Sequence, residues 1–244
     1  MKSDKPSQLR FGLTLPEKTL FSLGRFIEGE HNAVPLEAAR RFTREGNIQS
    51  LVIFGSRGSG KSHLLKGMAI NIADERSTAV VDAAEMLNKR KIREEMKNLA
   101  GYQVVCIDNL DALSGTPELF DEVFHLFNEL TGKGGFFAAT MEESPARGGN
   151  MPDYLYTRLL SGLIVAIERP GDAEKGEILK KLAADRQIEL SQKEVKYILE
   201  HSARSIGDLV GLLGRLESML GKGERNIGIQ HIKEAMSAGE IFKK

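Results

Sequence analysis

The sequence predicts a three-layer α/β/α domain on a five-stranded parallel sheet, followed by a small all-α domain. Three observations lead there. Short apolar runs alternate with longer helical segments through the first two thirds of the chain, as a parallel sheet covered on both faces requires. Strand signals cease after Arg169-Pro170, and only helical patterns follow. The length, 244 residues with 41% apolar side chains and 25 further glycines, suits one packed core domain with a small satellite.

Taken in order, residues 1–18 are polar, with Pro6 and Pro16 bracketing the apolar patch Gln8-Leu9-Arg10-Phe11-Gly12-Leu13. They read as an exposed tail carrying one sticky segment. A helix is expected over 35–45, with Pro35 in its first turn and Gly46-Asn47 as its stop. Ser50–Phe54 is the first expected strand and 61–75 the helix after it. Strands are expected at 78–81, 103–107, 136–140 and 163–167, with helices ending near Ala100, over 117–130 and over 153–160 between them. The second domain reads as helices over 172–187, 192–202, 206–220 and 230–236, with Asp172 and Ser191 as N-caps of the first two. The division expected is therefore a tail at 1–18, an α/β domain at 19–169 and a helical domain at 170–244.

Composition narrows the function. The 34 Lys and Arg balance 34 Asp and Glu, which excludes a globally basic nucleic-acid binder and an acidic solvating tail. The single cysteine, Cys106, excludes an internal disulfide framework and any multi-cysteine zinc site. It falls mid-strand and reads as core. No apolar run approaches the ~18 residues of a membrane span, and the N-terminus lacks the apolar core of a signal peptide. The chain reads as soluble and cytoplasmic.

The strongest motif is Gly55-Ser56-Arg57-Gly58-Ser59-Gly60-Lys61-Ser62, which fits G-x-x-x-x-G-K-[ST] between an expected strand and an expected helix. A phosphate chain must lie against several backbone N–H groups at once, so the loop must curl without Cβ atoms in the way, hence Gly58 and Gly60. Lys61 then reaches the β and γ phosphates, Ser62 offers a hydroxyl to Mg²⁺, and the helix that opens through His63 points its positive end at the anion. The ligand expected is ADP or ATP with Mg²⁺.

The partner of such a loop is a carboxylate at the tip of a neighbouring strand, holding Mg²⁺ through its waters. Val104-Val105-Cys106-Ile107-Asp108 supplies one in Asp108. Asn109 follows where a second carboxylate would polarise the attacking water. An amide can orient a water but cannot take its proton, so feeble hydrolysis by the isolated chain is expected.

A phosphate loop, the Asp108 strand and a purely helical C-terminal domain together resemble an AAA+ ATPase. GKSHLLKGMA, CIDNLD and FFAATMEESP narrow the resemblance to the DnaA-like branch, and that implies a sensor role for Thr140. The stretch Pro152-Asp153-Tyr154-Leu155-Tyr156-Thr157-Arg158-Leu159 resembles the segment that carries the arginine finger, here Arg158. Such a finger neutralises charge on the γ-phosphoryl group of a partner subunit's ATP. The short spacing from Val81 to Val104 and the end of the chain after the helical domain resemble the Hda-like members of the branch rather than initiators with a helix-turn-helix domain. Those members also carry Asn after the strand aspartate.

The resemblance implies a regulator of replication initiation that is tethered to the sliding clamp and promotes hydrolysis of ATP bound to a DnaA-type initiator. Gln8, Leu9, Phe11 and Leu13 then become the clamp-binding set, a glutamine paired with short-spaced apolar anchors. By themselves the same residues also suit an apolar edge strand or chain-start packing. Phe26 and Ile27 fall where the family lines its adenine pocket, and packing of the tail onto the core is the other reading. One departure stands out: the family carries arginine at the position of Gly207, and glycine cannot contact a γ-phosphate. Arg204 is the candidate substitute. Lys89-Arg90-Lys91-Arg93 reads as a solvated face interleaved with Glu94 and Glu95, so direct DNA binding is expected to be weak or absent. Arg158 could act on an initiator or on another copy in a homo-oligomer. A helicase loader or other stand-alone ATPase is the alternative, and it would turn over ATP unaided.

Overall fold

The computed structural model describes residues 9–10, 23–44, 48–87, 92–145, 151–201, 205–220 and 227–238. It divides into two compact units, Met1–Glu168 and Arg169–Lys244. In the first, six parallel strands lie in the order β1-β3-β4-β5-β2-β6. They are β1 (Leu9–Arg10), β2 (Ser50–Phe54), β3 (Thr78–Asp82), β4 (Val104–Asp108), β5 (Phe136–Met141) and β6 (Leu163–Ala166). The helices of this unit are α1 (Ala33–Arg44), α2 (Lys61–Ala73), α3 (Ala83–Met86), α4 (Ile92–Leu99), α5 (Glu118–Gly132) and α6 (Asp153–Leu160).

Alternation along each strand sends side chains to two separate cores. Val104 and Cys106 join Leu51, Ile53 and Ala138 beneath α1 and α2, through Phe42, Leu64 and Met68. Val105 and Ile107 join Val52, Phe137 and Ala139 beneath the opposite helices, through Met96, Phe120, Val123 and Leu155. Both faces of the sheet are thus apolar, which is why the strands read as unbroken runs rather than alternating ones. Because every strand is parallel, β2, β3, β4 and β5 end on the same edge, and that edge carries Asp82, Asp108, Thr140 and the loop after Phe54.

The five strands expected from the sequence are all present. They are joined at the β3 edge by the two-residue β1, in which Leu9 and Arg10 pair with Thr78 and Ala79. The sequence reads this segment as tail, with an apolar edge strand as the other reading of its residues, and Leu9 and Arg10 take the edge-strand form; the pairing satisfies backbone groups that β3 would otherwise present at an open edge. The helix expected to end near Ala100 is two helices, α3 and α4. A 3-10 turn over Leu110–Gly115, with no counterpart in the sequence pattern, follows β4.

The second unit holds α7 (Asp172–Ala184), α8 (Gln192–His201), α9 (Ile206–Met219) and α10 (Ile229–Ser237) around Leu179, Ile198, Leu209, Leu212, Leu213, Leu216 and Ile232. The N-cap of α7 is Gly171 rather than Asp172, and the Glu174 carboxylate accepts from the Gly171 N–H at 2.6 Å. Ser191 stands at the head of α8 as expected, its hydroxyl oxygen accepting from the Lys193 N–H at 3.2 Å. Ser205 caps α9 and accepts from Asp208 N–H at 3.1 Å. Among the described residues no helix is long and apolar enough to cross a membrane.

Candidate functional site

The loop between β2 and α2 is built by three glycines with different tasks. Gly58 and Gly60 adopt φ of 80° and 103°, a left-handed region that other residues enter only under strain. Gly55 has no room for a side chain: a Cβ there would stand 2.1 Å from the Ile167 carbonyl oxygen. The loop is pinned at its start by Gly55 N–H donating to Met141 O at 3.1 Å, and internally by Ser59 N–H donating to Ser56 O at 3.2 Å. Lys61 is buried at the first position of α2, and its ammonium donates to Gly55 O at 2.6 Å and Ser56 O at 3.1 Å. The Ser59 hydroxyl is buried without a hydrogen-bond partner among the described residues. A curled backbone that excludes Cβ atoms, a buried cation and an orphaned hydroxyl fit a polyphosphate and little else. Ser56 and Arg57 lie exposed on the loop, while Ser62 and His63 are half-buried.

Two strands away in the sheet, β4 ends in Asp108, only 2% exposed. Its Oδ1 accepts a short hydrogen bond from the Thr140 hydroxyl of β5. That same hydroxyl oxygen accepts from the Asn109 N–H at 2.9 Å. Thr140 therefore ties the end of β5 to the turn that leaves β4, and its donor and one acceptor site are both in use. Asn109 sits in the left-handed region with φ of 54°. Its side chain does not face Thr140: Nδ2 donates to Asp82 Oδ2 at 2.8 Å. Directly beneath Asp108, Cys106 is fully buried, and burial together with the Asp108 charge pushes its thiol up to about 12. It is core, as expected.

Phe26 comes to the phosphate loop as well. Its ring would be 3.2 Å from a Cβ on Gly60 and lies edge-on to His63 with centroids 5.2 Å apart. Ile27 follows in a turn held by Asn32, whose side chain accepts from Gly29 N–H at 3.0 Å and donates to Ile27 O at 2.8 Å. The structure thus brings together residues 55–63, Asp108, Asn109, Thr140 and Phe26 on one sheet edge and its flank. Asn32, Asp82 and Ile167 belong to this framework and escape the sequence reading; Asn32 and Asp82 leave a trace in the sequence, each a short polar residue immediately before a helix.

Arg158 stands apart, exposed on the last turn of α6. Its guanidinium carbon lies 6.0 Å from the centre of the Phe124 ring, the outer limit of a cation–π contact. Tyr154 lies edge-on to Phe124 at 5.0 Å and donates to the Asp121 carboxylate. That bond pushes the Tyr154 phenol up to about 12. Gln8, Phe11, Leu13, Arg204 and the basic run Lys89, Arg90 and Lys91 lie outside the described residues, as does the Leu9 side chain. Gly207 lies exposed in the first turn of α9.

A parallel sheet with this strand order, a glycine-built phosphate loop, a buried strand-tip carboxylate beside a threonine, and a separate four-helix unit define an AAA+ nucleotide-binding protein. The Bacterial DnaA ATPase domain family matches residues 17–166, and the chain belongs to it. The Hda lid domain matches residues 172–236.

Among curated proteins the chain is similar to the chromosomal replication initiator protein DnaA of Wolinella succinogenes, 24% identical over 96% of this chain and 57% of that protein. It therefore spans little more than half of that relative. Among solved structures it resembles domain III of the Thermotoga maritima replication initiation protein DnaA, with a TM-score of 0.78 at 20% identity, over 92% of this chain and 98% of that one. It also resembles AMPPCP-bound DnaA from Aquifex aeolicus, with a TM-score of 0.71 at 23% identity, over 90% and 69% of the two chains. These likenesses establish the fold.

Proposed function

We propose that this chain is an Hda-like AAA+ regulator of DNA replication initiation. It binds ADP or ATP with Mg²⁺, attaches to the sliding clamp and promotes hydrolysis of ATP held by a DnaA-type initiator. The observation that carries the reading is a complete phosphate cradle whose own hydrolytic position is an amide, Asn109, held against Asp82. Such a site holds a nucleotide and lacks a base to hydrolyse it.

The residues fit the nucleotide. Loop N–H groups over 55–62 and the head of α2 receive the phosphates, and Lys61 exchanges its two carbonyl partners for phosphate oxygens. Mg²⁺ would be held by Ser62 and, through water, by Asp108. Phe26 and Ile27 supply the apolar wall for the base. Bound Mg²⁺ would neutralise phosphate charge; this chain's residues bind and orient.

Arg158 supplies the activity toward the partner. An exposed guanidinium steadied by an aromatic ring can enter a neighbouring subunit's site and stabilise charge on the γ-phosphoryl oxygens as the bond to the leaving oxygen breaks. The test adds purified protein and DNA-loaded clamp to ATP-bound initiator and follows phosphate release. Arg158→Ala is expected to lose stimulation by on the order of 10³-fold, and Arg158→Lys to recover little of it. Unchanged stimulation in Arg158→Ala would remove this residue from the mechanism.

A further inference from the structure

We infer that Tyr154 is a positioning residue that keeps Arg158 available to a partner by occupying Asp121, the carboxylate that would otherwise capture it. This role rests on the reading of Arg158 as the finger and adds to it the contact that keeps the finger unpaired.

The geometry comes from two helices that share one ring. Tyr154 and Arg158 stand one turn apart on α6 and so lie on one face of it. Across from them on α5, Asp121 and Phe124 are likewise one turn apart. The Tyr154 ring is edge-on to Phe124 with centroids 5.0 Å apart, and the Arg158 guanidinium carbon lies 6.0 Å from the centre of the same ring. Asp121 therefore sits one helical turn, about 5–6 Å at Cβ, from the residue on which the guanidinium rests. The flexible stem of an arginine covers such a distance.

An exposed carboxylate at that range competes for the guanidinium. The two groups pair best through two parallel hydrogen bonds, and a finger paired in this way has fewer donors to offer a γ-phosphoryl group. That pair does not form here. Asp121 Oδ1 accepts from the Tyr154 hydroxyl instead, which closes the two-oxygen mode of pairing. Glu122, the next residue of α5, is met by a different cation, Arg93, at 3.8 Å. Among the described residues no carboxylate pairs with Arg158, and the Phe124 ring is the neighbour it keeps. The phenol is a lasting donor: its bond to Asp121 pushes its ionisation up to about 12, so it stays protonated through the neutral range.

The test is a double-mutant cycle of Tyr154→Phe with Asp121→Asn. Tyr154 is 41% exposed and Asp121 is exposed as well, so neither change opens the core. Phenylalanine keeps a ring against Phe124 and removes the donor; asparagine keeps the shape of the acceptor and removes the charge. Phosphate release from ATP-bound initiator is followed with DNA-loaded clamp over a range of protein concentrations. Tyr154→Phe is expected to lower the maximal rate by about 3- to 5-fold, the upper part of what an exposed ion pair can withhold. The concentration giving half the maximal rate stays within about 2-fold of the parent. Asp121→Asn keeps the parental rate, and the double variant returns to it. A second arm needs no partner. In arginine-labelled protein the Arg158 Nε–H resonance should shift, and its exchange with water slow, in Tyr154→Phe but not in the double variant.

An unimpaired Tyr154→Phe would overturn the inference. A double variant as impaired as Tyr154→Phe would do the same, because the phenol would then act by packing alone. Impairment in Asp121→Asn by itself, or an Arg158 resonance that Tyr154→Phe leaves unmoved, would also count against it decisively. If Arg158→Ala stimulated as well as the parent, the finger reading would fall instead, and the resonance arm would still decide whether Tyr154 keeps Asp121 from Arg158.

Discussion

At the scale of single residues, the edge of the sheet concentrates charge where the interior beneath it has none. Asp108 is almost wholly buried and its side chain is met by the neutral hydroxyl of Thr140. One residue pair further in, Cys106 carries the consequence. Its thiol stays protonated up to about 12, because a thiolate there would be both desolvated and repelled by Asp108. In the unfolded chain the thiol ionises near its ordinary value of 9.0. The folded state therefore holds the proton more tightly, and by linkage stability is full below about pH 9 and declines as pH rises from there toward 12. Denaturant titrations at intervals from about pH 8 to about pH 10.5 should show this slope, and Cys106→Ala should flatten it relative to the parent. The same burial predicts that thiol reagents label the native protein only at its unfolding rate.

At the scale of elements, the phosphate loop depends on backbone shapes that side chains forbid. Gly60 combines φ of 103° with a Phe26 ring 3.2 Å from where a Cβ would stand. Gly60→Ala should cost about 1–3 kcal/mol of stability and weaken ADP binding as the loop relaxes away from α2; differential scanning calorimetry and titration calorimetry check the two effects. A thermally neutral Gly60→Ala with parental affinity would show that the loop tolerates another shape.

Much of this element is legible in the sequence, because the phosphate motif and its flanking strand and helix are local and each part constrains the next. The strands are legible for a related reason. Leu51 and Ile53 face one core and Val52 the other, so β2 is apolar through its centre and cannot be mistaken for a solvent-facing strand. What is not legible is pairing between distant segments. Nothing near Leu9 announces Thr78, and nothing near Asn109 announces Asp82, 27 residues earlier. That contact exists only because β3 and β4 are adjacent and end in register, a fact of sheet order rather than of local pattern. The cap of α7 shows the same limit at short range: Glu174 reaches back to Gly171, which moves the helix start by one residue from the aspartate that looks like its cap.

At the scale of the whole molecule, the proposed regulator must do two things with separate surfaces: hold a clamp through its N-terminal segment and present Arg158 to an initiator. The short strand β1 complicates the usual test of the first. Leu9 and Arg10 occupy the edge of β3, so deleting the segment would remove any clamp anchor and also bare a sheet edge, inviting self-association. Loss of function in such a deletion would have two explanations. Paired substitutions separate them. Gln8→Ala with Phe11→Ala removes the polar anchor and the aromatic anchor of the candidate clamp-binding set while leaving the backbone of Leu9 and Arg10 to pair. This variant should remain as monodisperse as the parent by light scattering and bind ADP with unchanged affinity. It should lose clamp capture by about 10-fold or more, since anchors of this kind carry most of the energy of a small peptide interface. Stimulated phosphate release should then fall at limiting clamp-loaded DNA and recover as protein concentration is raised, because the tether contributes effective concentration and not chemistry. Arg158→Ala should show the opposite behaviour, with capture retained and no recovery at any concentration. If both variants recovered alike, tethering and catalysis would not be separable functions of this chain, and the assignment of the N-terminal segment to the clamp would fail.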